Sequence, residues 1–463
     1  MADCEPAGTD QSHLHCCCGG ERCDPGGVSR RDFLKATGIA FSAAAMGGLL
    51  APRRAPGETA RAPLPPNVVL IISDDQGWTD YGFMGHPVIR TPCLDKLASQ
   101  GVVFSRGYVT TALCAPSLGT LLTGLYPHQH GQTGNDPEGG KAGGPAHQRW
   151  VDRIAGLPRV PDLLGKAGYL SFQTGKWWWQ HYSKGGFTHG MMESGRHGSP
   201  TSLGIARKTL QPIDDFIDMA QKEHKPFFLW HAPFMPHLPH TPPARLLEKY
   251  KDHGKNGAYF AMCEWLDETC GQLLDGLDRR GLAENTLVLF LADNGWNQGI
   301  DEPIRGHKLS PYEMGVRTPI IVRWPGHVRP RMDKDTLVSS IDVAPTILRA
   351  CGLSPPAGMP GLDLLDAPAL AARPAIFCEA FTHNMPDIDR PAKGLVARVC
   401  IEGPWKLVLH GPASKTPGKA ELFNVGSDPF EKDDLAGRRG DRVAAMTKRI
   451  HDWWPASEAP GAG

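Results

Sequence analysis

Net charge is what this 463-residue chain most plainly lacks: 49 lysines and arginines balance 49 aspartates and glutamates. With no global basic field, nothing in the composition draws the protein to nucleic acid or to an anionic membrane, so any preference for anions must be local. Internal repeats and heptads are absent, which removes solenoid and coiled-coil readings. Of the twelve cysteines, Cys4, Cys16, Cys17, Cys18 and Cys23 crowd the start, and the other seven are scattered without Cys-x-x-Cys spacing. A disulfide framework is therefore a weak reading, since scattered cysteines in a large core act as small buried hydrophobes. The apolar run Ala36–Ala51 falls short of the roughly 20 residues a membrane-spanning helix needs.

What is present suits a globular protein with a sizeable core: 41% of residues are hydrophobic and 21% charged. The length suggests one large domain and a smaller one. Ser29, Arg30, Arg31, Asp32, Phe33, Leu34 and Lys35 form a complete twin-arginine pattern ahead of the alanine- and glycine-rich run. Residues 1–62 are therefore read as a twin-arginine signal peptide and linker. They imply the twin-arginine export machinery as a partner and a periplasmic or secreted destination.

From Pro63 onward, apolar β-branched runs alternate with polar, glycine-bearing stretches and helix-like segments, the α/β pattern. Strands are expected at Asn67–Ser73, Gly168–Thr174, Pro226–Trp230 and Thr286–Ala292. Each short run is of the kind buried in parallel sheets, and each leads into reactive side chains. Asp74 and Asp75 follow the first, Lys176 the second, His231 and His237 the third, and Asp293 and Asn294 the fourth. Ligands of open parallel sheets bind at these carboxyl ends, so four distant segments would deliver polar groups to one edge. A helix is expected over Ile341–Ala350 and a proline- and glycine-rich break over Gly352–Pro360. The reading is a catalytic domain over 63–355 and a smaller α+β domain over 356–463. Strands are expected there at Ala375–Ala380, Gly394–Ile401 and Trp405–His410, with a closing helix over Arg442–Trp454.

Adjacent acids leaving an apolar strand are costly unless a cation or strong donors neutralise them. With Asp293 and Asn294, Asp74 and Asp75 make an all-oxygen set, which points toward calcium or magnesium and away from zinc. Solvated loop acids would give the same letters. Cys114 precedes Ala115, Pro116 and Ser117, and the stretch ends Leu121, Leu122, Thr123, Gly124. Proline suits a first helical turn, which leaves Cys114 near a helix start, where the thiol pKa is expected to fall and backbone donors face an anion. Taken alone, a buried structural cysteine fits equally well, and Lys176 and Lys308 would each pass for surface lysines.

The Cys-x-Pro-Ser start with its Leu-Leu-Thr-Gly ending resembles the sulfatase signature. The likeness extends over nearly the whole chain from Asn67, through Asp74–Gly77, Gly175–Trp177, Asp293–Gly295 and Lys308–Pro319 to Trp324–Gly326. It closes with Trp405–Leu407, Glu421–Phe423 and Asp428–Glu431. The resemblance implies an alkaline-phosphatase-like fold: a large mixed, mostly parallel sheet flanked by helices, with a smaller C-terminal α+β domain. It also implies sulfate ester hydrolysis of a sulfated glycan, aryl sulfate or other sulfated small molecule, with Cys114 oxidised to formylglycine by the formylglycine-generating enzyme. Asp74, Asp75, Asp293, Asn294 and the modified Cys114 would hold calcium. Lys176, His237 and Lys308 would contact the sulfate and its leaving oxygen, with His237 preferred to His240 for its Pro236-His237-Leu238-Pro239 setting.

Two positions depart from the pattern. Leu118 stands where the family has an arginine that the modifying enzyme reads and that lies beside the aldehyde. Trp178 stands where a histidine is common, with His181 the nearest substitute in sequence. These departures keep two alternatives open, a phosphodiester or phosphonate hydrolase and a catalytically silent binder of sulfated glycans. Trp177, Trp178 and Trp179 read either as a platform for a sugar ring or as core, and His128 and His130 as structural.

Overall fold

The computed structural model describes residues 65–138, 143–300 and 304–455. The twin-arginine pattern, the apolar run after it and the five leader cysteines lie outside the described residues. From Pro63 to Gly463 the chain forms one compact unit that contains both sheets.

Leaving aside two-stranded pairs, the strands in chain order are β1 (Asn67–Ser73), β2 (Val102–Phe104), β3 (Leu170–Gly175), β4 (His189–Gly190), β5 (Phe227–Ala232), β6 (Thr286–Ala292), β7 (Ile320–Arg323) and β8 (Arg331–Asp333), then β9 (Ile376–Phe381), β10 (Leu395–Glu402), β11 (Trp405–His410) and β12 (Ala420–Asn424). The first eight form one sheet in the order β8-β2-β7-β6-β1-β5-β3-β4. Its centre is parallel, β6 with β1, β1 with β5, β5 with β3 and β3 with β4. β7 alone runs antiparallel to its neighbours β6 and β2. The sheet is thus mixed and mostly parallel, as expected. β1 and β6 are buried along their full lengths because helices cover both faces, which is why their sequences are continuously apolar and do not alternate.

Two cores flank this sheet. One gathers Val68, Leu70 and Ile72 with Cys114, Leu118 and the three tryptophans 177–179; the other gathers Val69 and Ile71 with the 23-residue helix Gly257–Arg279. Alternate residues of β1 thus face opposite layers. Strands β9 to β12 make a four-stranded antiparallel sheet against which the helix Gly440–Trp453 packs. An isolated bridge between Thr111 and Glu379 and the amide of Glu379 on the Thr110 carbonyl tie this sheet to the segment before Cys114.

The helix over Ile341–Ala350 resolves into a short 3-10 turn, Ser340–Asp342, followed by Val343–Ala350. β5 extends two residues beyond its expected end, so His231 belongs to the strand and is fully buried, with Nδ1 3.2 Å from the Thr174 hydroxyl. Burial pushes its pKa down to about 4, and it is a core histidine.

Candidate active site

The carboxyl ends of β1, β3 and β6 meet. Asp74 and Asp75 leave β1; the Asp75 amide, in the left-handed region at φ 56°, lies 3.2 Å from Asp293 Oδ1 at the end of β6. Lys176 follows β3 through Gly175, whose φ of 75° and contact with the Ala232 carbonyl leave no room for a side chain. That turn sends the lysine into the interior, where its ammonium lies 2.6 Å from Asp74 Oδ1 and 3.3 Å from Asp293 Oδ2. Lys308, from the loop after β6, reaches Asp75 Oδ1 at 2.7 Å. His237 Nε2 lies 3.4 Å from the other oxygen of Asp75.

Cys114 opens a helix, Cys114–Thr123, all of whose residues are buried, and Asn135 fixes its start by accepting the Ala115 N–H at 3.0 Å. The thiol sits 3.6 Å from Asn294 Oδ1, and Asn294 Nδ2 donates to Asp75 at 2.8 Å. Cys114 and both members of the first acid pair offer ligand atoms within 4.8 Å of one another. All eight site residues read from the sequence, Asp74, Asp75, Cys114, Lys176, His237, Asp293, Asn294 and Lys308, therefore fall in this one contact network.

Its charge does not close. Three carboxylates, those of Asp74, Asp75 and Asp293, face two ammonium groups, and Asp74 Oδ2 is buried without a hydrogen-bond partner. Burial raises the pKa of Asp74 despite Lys176, and burial with the Asp74 charge raises Asp293 to about 7. Burial opposes ionisation of Asp75 too, yet Lys308, His237 and Lys176 hold it below the usual range. The lysines stay charged: burial is the largest single influence and works against both, but the acidic groups around them, Asp74 foremost for Lys176 and Asp75 among those for Lys308, together hold both above the usual range. An excess of buried hard oxygens with one unused lone-pair set is what a divalent cation satisfies, so Asp74, Asp75, Asp293 and Asn294 fit a calcium or magnesium ion.

The helix start does not lower the thiol pKa as its position suggests. Burial pushes Cys114 up to about 12, and Lys176 and Lys308 only partly offset this. As an unmodified side chain Cys114 is a neutral thiol near neutral pH, not an activated nucleophile.

The remaining expectations divide. Trp177, Trp178 and Trp179 are buried in the core, which settles them as packing. His130 is also core: it accepts the Gln132 N–H, and its other ring nitrogen lies 3.1 Å from the Pro116 carbonyl, while His128 pairs with Glu379. Leu118 packs between the Cys114 helix and the apolar layer below it. His181 does not take the place left by Trp178: it caps its own short 3-10 helix by accepting the Ser183 N–H and lies tilted against Tyr182, ring centroids 4.2 Å apart. A ring that packs beside both Trp178 and His237 is His197, 4.9 Å from the one and 5.7 Å from the other, centroid to centroid. It lies in a long loop with no periodicity, and the flanking Gly195 and Gly198 were the sequence's only hint of a special backbone.

The sulfatase family model matches residues 66–353. The chain belongs to the sulfatase family. A second model, N-sulphoglucosamine sulphohydrolase, C-terminal, matches residues 307–453. N-acetylgalactosamine-6-sulfatase of Homo sapiens is 31% identical over 353 residues, 66% of either chain. Arylsulfatase A of Homo sapiens is 29% identical over 353 residues, 65% of this sulfatase and 67% of that one. The chain thus spans about two thirds of the length of the relatives it matches. Among solved structures, Ps i-CgsB in complex with k-i-k-neocarrahexaose superposes with a TM-score of 0.70 at 24% identity, covering 86% of this chain and 94% of that one. PsFucS1 sulfatase from Pseudoalteromonas sp. gives 0.67 at 21% identity, covering 86% and 92%. These likenesses establish the alkaline-phosphatase-like fold.

Proposed function

We propose that this sulfatase hydrolyses sulfate esters of a glycan or an aryl alcohol, with calcium held by Asp74, Asp75, Asp293 and Asn294 and with Cys114 oxidised to formylglycine. The observation that carries the reading is the shared ammonium of Lys176, bridging Asp74 and Asp293 beside a buried carboxylate oxygen that has no partner. When present, the cation supplies positive charge to the ester's oxygens, and the aldehyde hydrate supplies the attacking hydroxyl.

The chain's own residues do the rest. Lys176 uses two of its three donors on Asp74 and Asp293 and keeps one for a sulfate oxygen. Lys308, at 14% side-chain exposure, is the lysine nearer solvent and meets the substrate's anionic group first. Buried Trp177, Trp178 and Trp179 exclude water below the site and raise the worth of both charges. Asn135 holds the amide after Cys114 and so fixes the nucleophile's position. The names of the relatives, N-acetylgalactosamine-6-sulfatase and arylsulfatase A, support the choice of ester class. Export through the twin-arginine pathway, and modification beforehand by a formylglycine-generating enzyme, belong to the same proposal.

The test is mass spectrometry of the Cys114 peptide from the native host, paired with turnover of 4-nitrophenyl sulfate in calcium and in chelator. Aldehyde and calcium-dependent turnover together support the reading. Unmodified cysteine without turnover favours instead a binder of sulfated glycans, the reading that Leu118, an apolar residue in the signature, argues for.

A further inference from the structure

Two imidazoles stand side by side at the site, and they differ in what they have left to offer. His237 is engaged at both nitrogens, with Nδ1 2.5 Å from the Leu238 carbonyl and Nε2 3.4 Å from Asp75. His197 is held by ring contacts to Trp178, Phe234 and His237, and makes no hydrogen bond among the described residues. Its nitrogens are unspent, although the ring touches a catalytic neighbour.

The backbone singles out the same residue. His197 sits in the left-handed region at φ 67°, which a residue with a side chain adopts only when its surroundings impose it. Among the described residues, three of the other seven non-glycine residues with positive φ border this site: Asp75 at 56° within it, Phe234 at 42° with the Lys176 ammonium over its ring, and Leu309 at 71° next to Lys308. The preceding residue anchors the turn, because the Arg196 guanidinium lies over Trp178 at 5.5 Å and pairs with Asp136. Asp136 follows Asn135, which binds the amide beside Cys114. The loop is thus tied to the nucleophile's own support.

We propose that His197 donates the hydrogen bond that stabilises the ester's bridging oxygen as it leaves. The proposal rests on the hydrolase reading above. As the attacking hydroxyl oxygen bonds to sulfur, the bond from sulfur to the bridging oxygen breaks and its electron pair passes to that oxygen. The imidazole N–H offsets that charge and keeps its proton; the proton the alcohol finally carries comes from water. A neutral ring suits this role, and burial together with the charges of Lys176, His237 and Lys308 pushes its pKa down to about 3.

The experiment compares the full-length enzyme with His197→Ala, His197→Gln and His181→Ala on phenyl sulfates of graded leaving-group acidity. For His197→Ala, kcat/KM for 4-methylphenyl sulfate falls roughly 10²-fold, while 4-nitrophenyl sulfate, which departs with little help, changes far less. His197→Gln retains a donor and recovers part of the loss, and His181→Ala leaves the slope unchanged. Equal losses on every ester, or none, overturn the proposal. Histidine-labelled Cys114→Ala protein titrated with phenyl sulfate provides a second measurement by ¹⁵N NMR that does not need turnover. Shifted His197 nitrogens support the assignment, and unmoved ones overturn it. If the unaltered enzyme hydrolyses no ester, the hydrolase reading fails and the titration decides on His197 separately.

Discussion

Among the described residues two wholly buried lysines, Lys176 and Lys406, each lie between two carboxylates, and their surroundings differ. Lys406, on β11 in the small sheet, lies 3.0 Å from Glu313 and 3.0 Å from Glu431 and is wholly buried. There the charges match: Tyr108 donates to Glu313 at 3.1 Å, Arg317 lies 3.4 Å from it, and the Glu313 amide donates to Glu431 at 2.6 Å. Two acids meet two bases, and this network locks the small sheet to the loop after Lys308. Around Lys176 three acids meet two bases, an excess of one buried negative charge. A buried lysine is therefore no mark of a site; an excess of one sign of charge, kept buried, is.

The sharpest way to break this contrast is to remove each lysine in turn. Lys176→Met is expected to lower turnover at least roughly 10³-fold and to destabilise the metal-free protein by about 3–5 kcal/mol, with calcium restoring much of the stability. Lys406→Met should cost a similar ~3–5 kcal/mol that calcium does not restore. Urea unfolding with and without calcium checks both, and rescue of the Lys406 variant by calcium would erase the distinction.

Beneath the site, Leu118→Ala should cost about 3 kcal/mol as a core truncation while leaving calcium affinity unchanged. A large loss of calcium affinity instead would place Leu118 in the site proper. The third measurement is calcium alone: at a hundredfold excess over its dissociation constant it should add about 2.7 kcal/mol, a gain that the Asp74→Asn, Asp293→Asn double variant lacks. The gain has a pH dependence of known sign. Burial and the Asp74 charge raise Asp293 to about 7 in the folded chain, against 3.8 for an unperturbed aspartate. In chelator the group's contribution is therefore fullest below about 4 and is lost as pH rises through about 7. Protons compete with calcium over that same range, so the calorimetric gain should be larger at pH 8 than at pH 6. The smallest effect is expected at His181→Ala, within about 0.5 kcal/mol and without change in kcat/KM.

Much of this was legible in the letters. β1, β6 and β11 begin and end where their patterns say; β1 and β6 are buried on both faces and so apolar through their interiors, while β11 carries the buried, ion-paired Lys406. Asp74 and Asp75 announced themselves as adjacent acids that are costly to bury unless a cation or strong donors neutralise them. Other features had no local signature. The thiol of Cys114 was expected to be acidic at a helix start, and burial overrode the helix. His181, near in sequence to Trp178, turned to its own helix, and His197 came to the site from nineteen residues beyond the tryptophan.

By itself, then, the sequence determined the parallel sheet, the edge at which polar groups gather, and the residues that meet there. These are properties of short segments, written in hydrophobic period and in the chemistry at strand ends. Tertiary structure alone decided which buried charges are left unpaired, which histidine meets the site and how protonated each group is. Those depend on distances between residues far apart in the chain and on how much water is removed around them, and neither is a property of any segment alone.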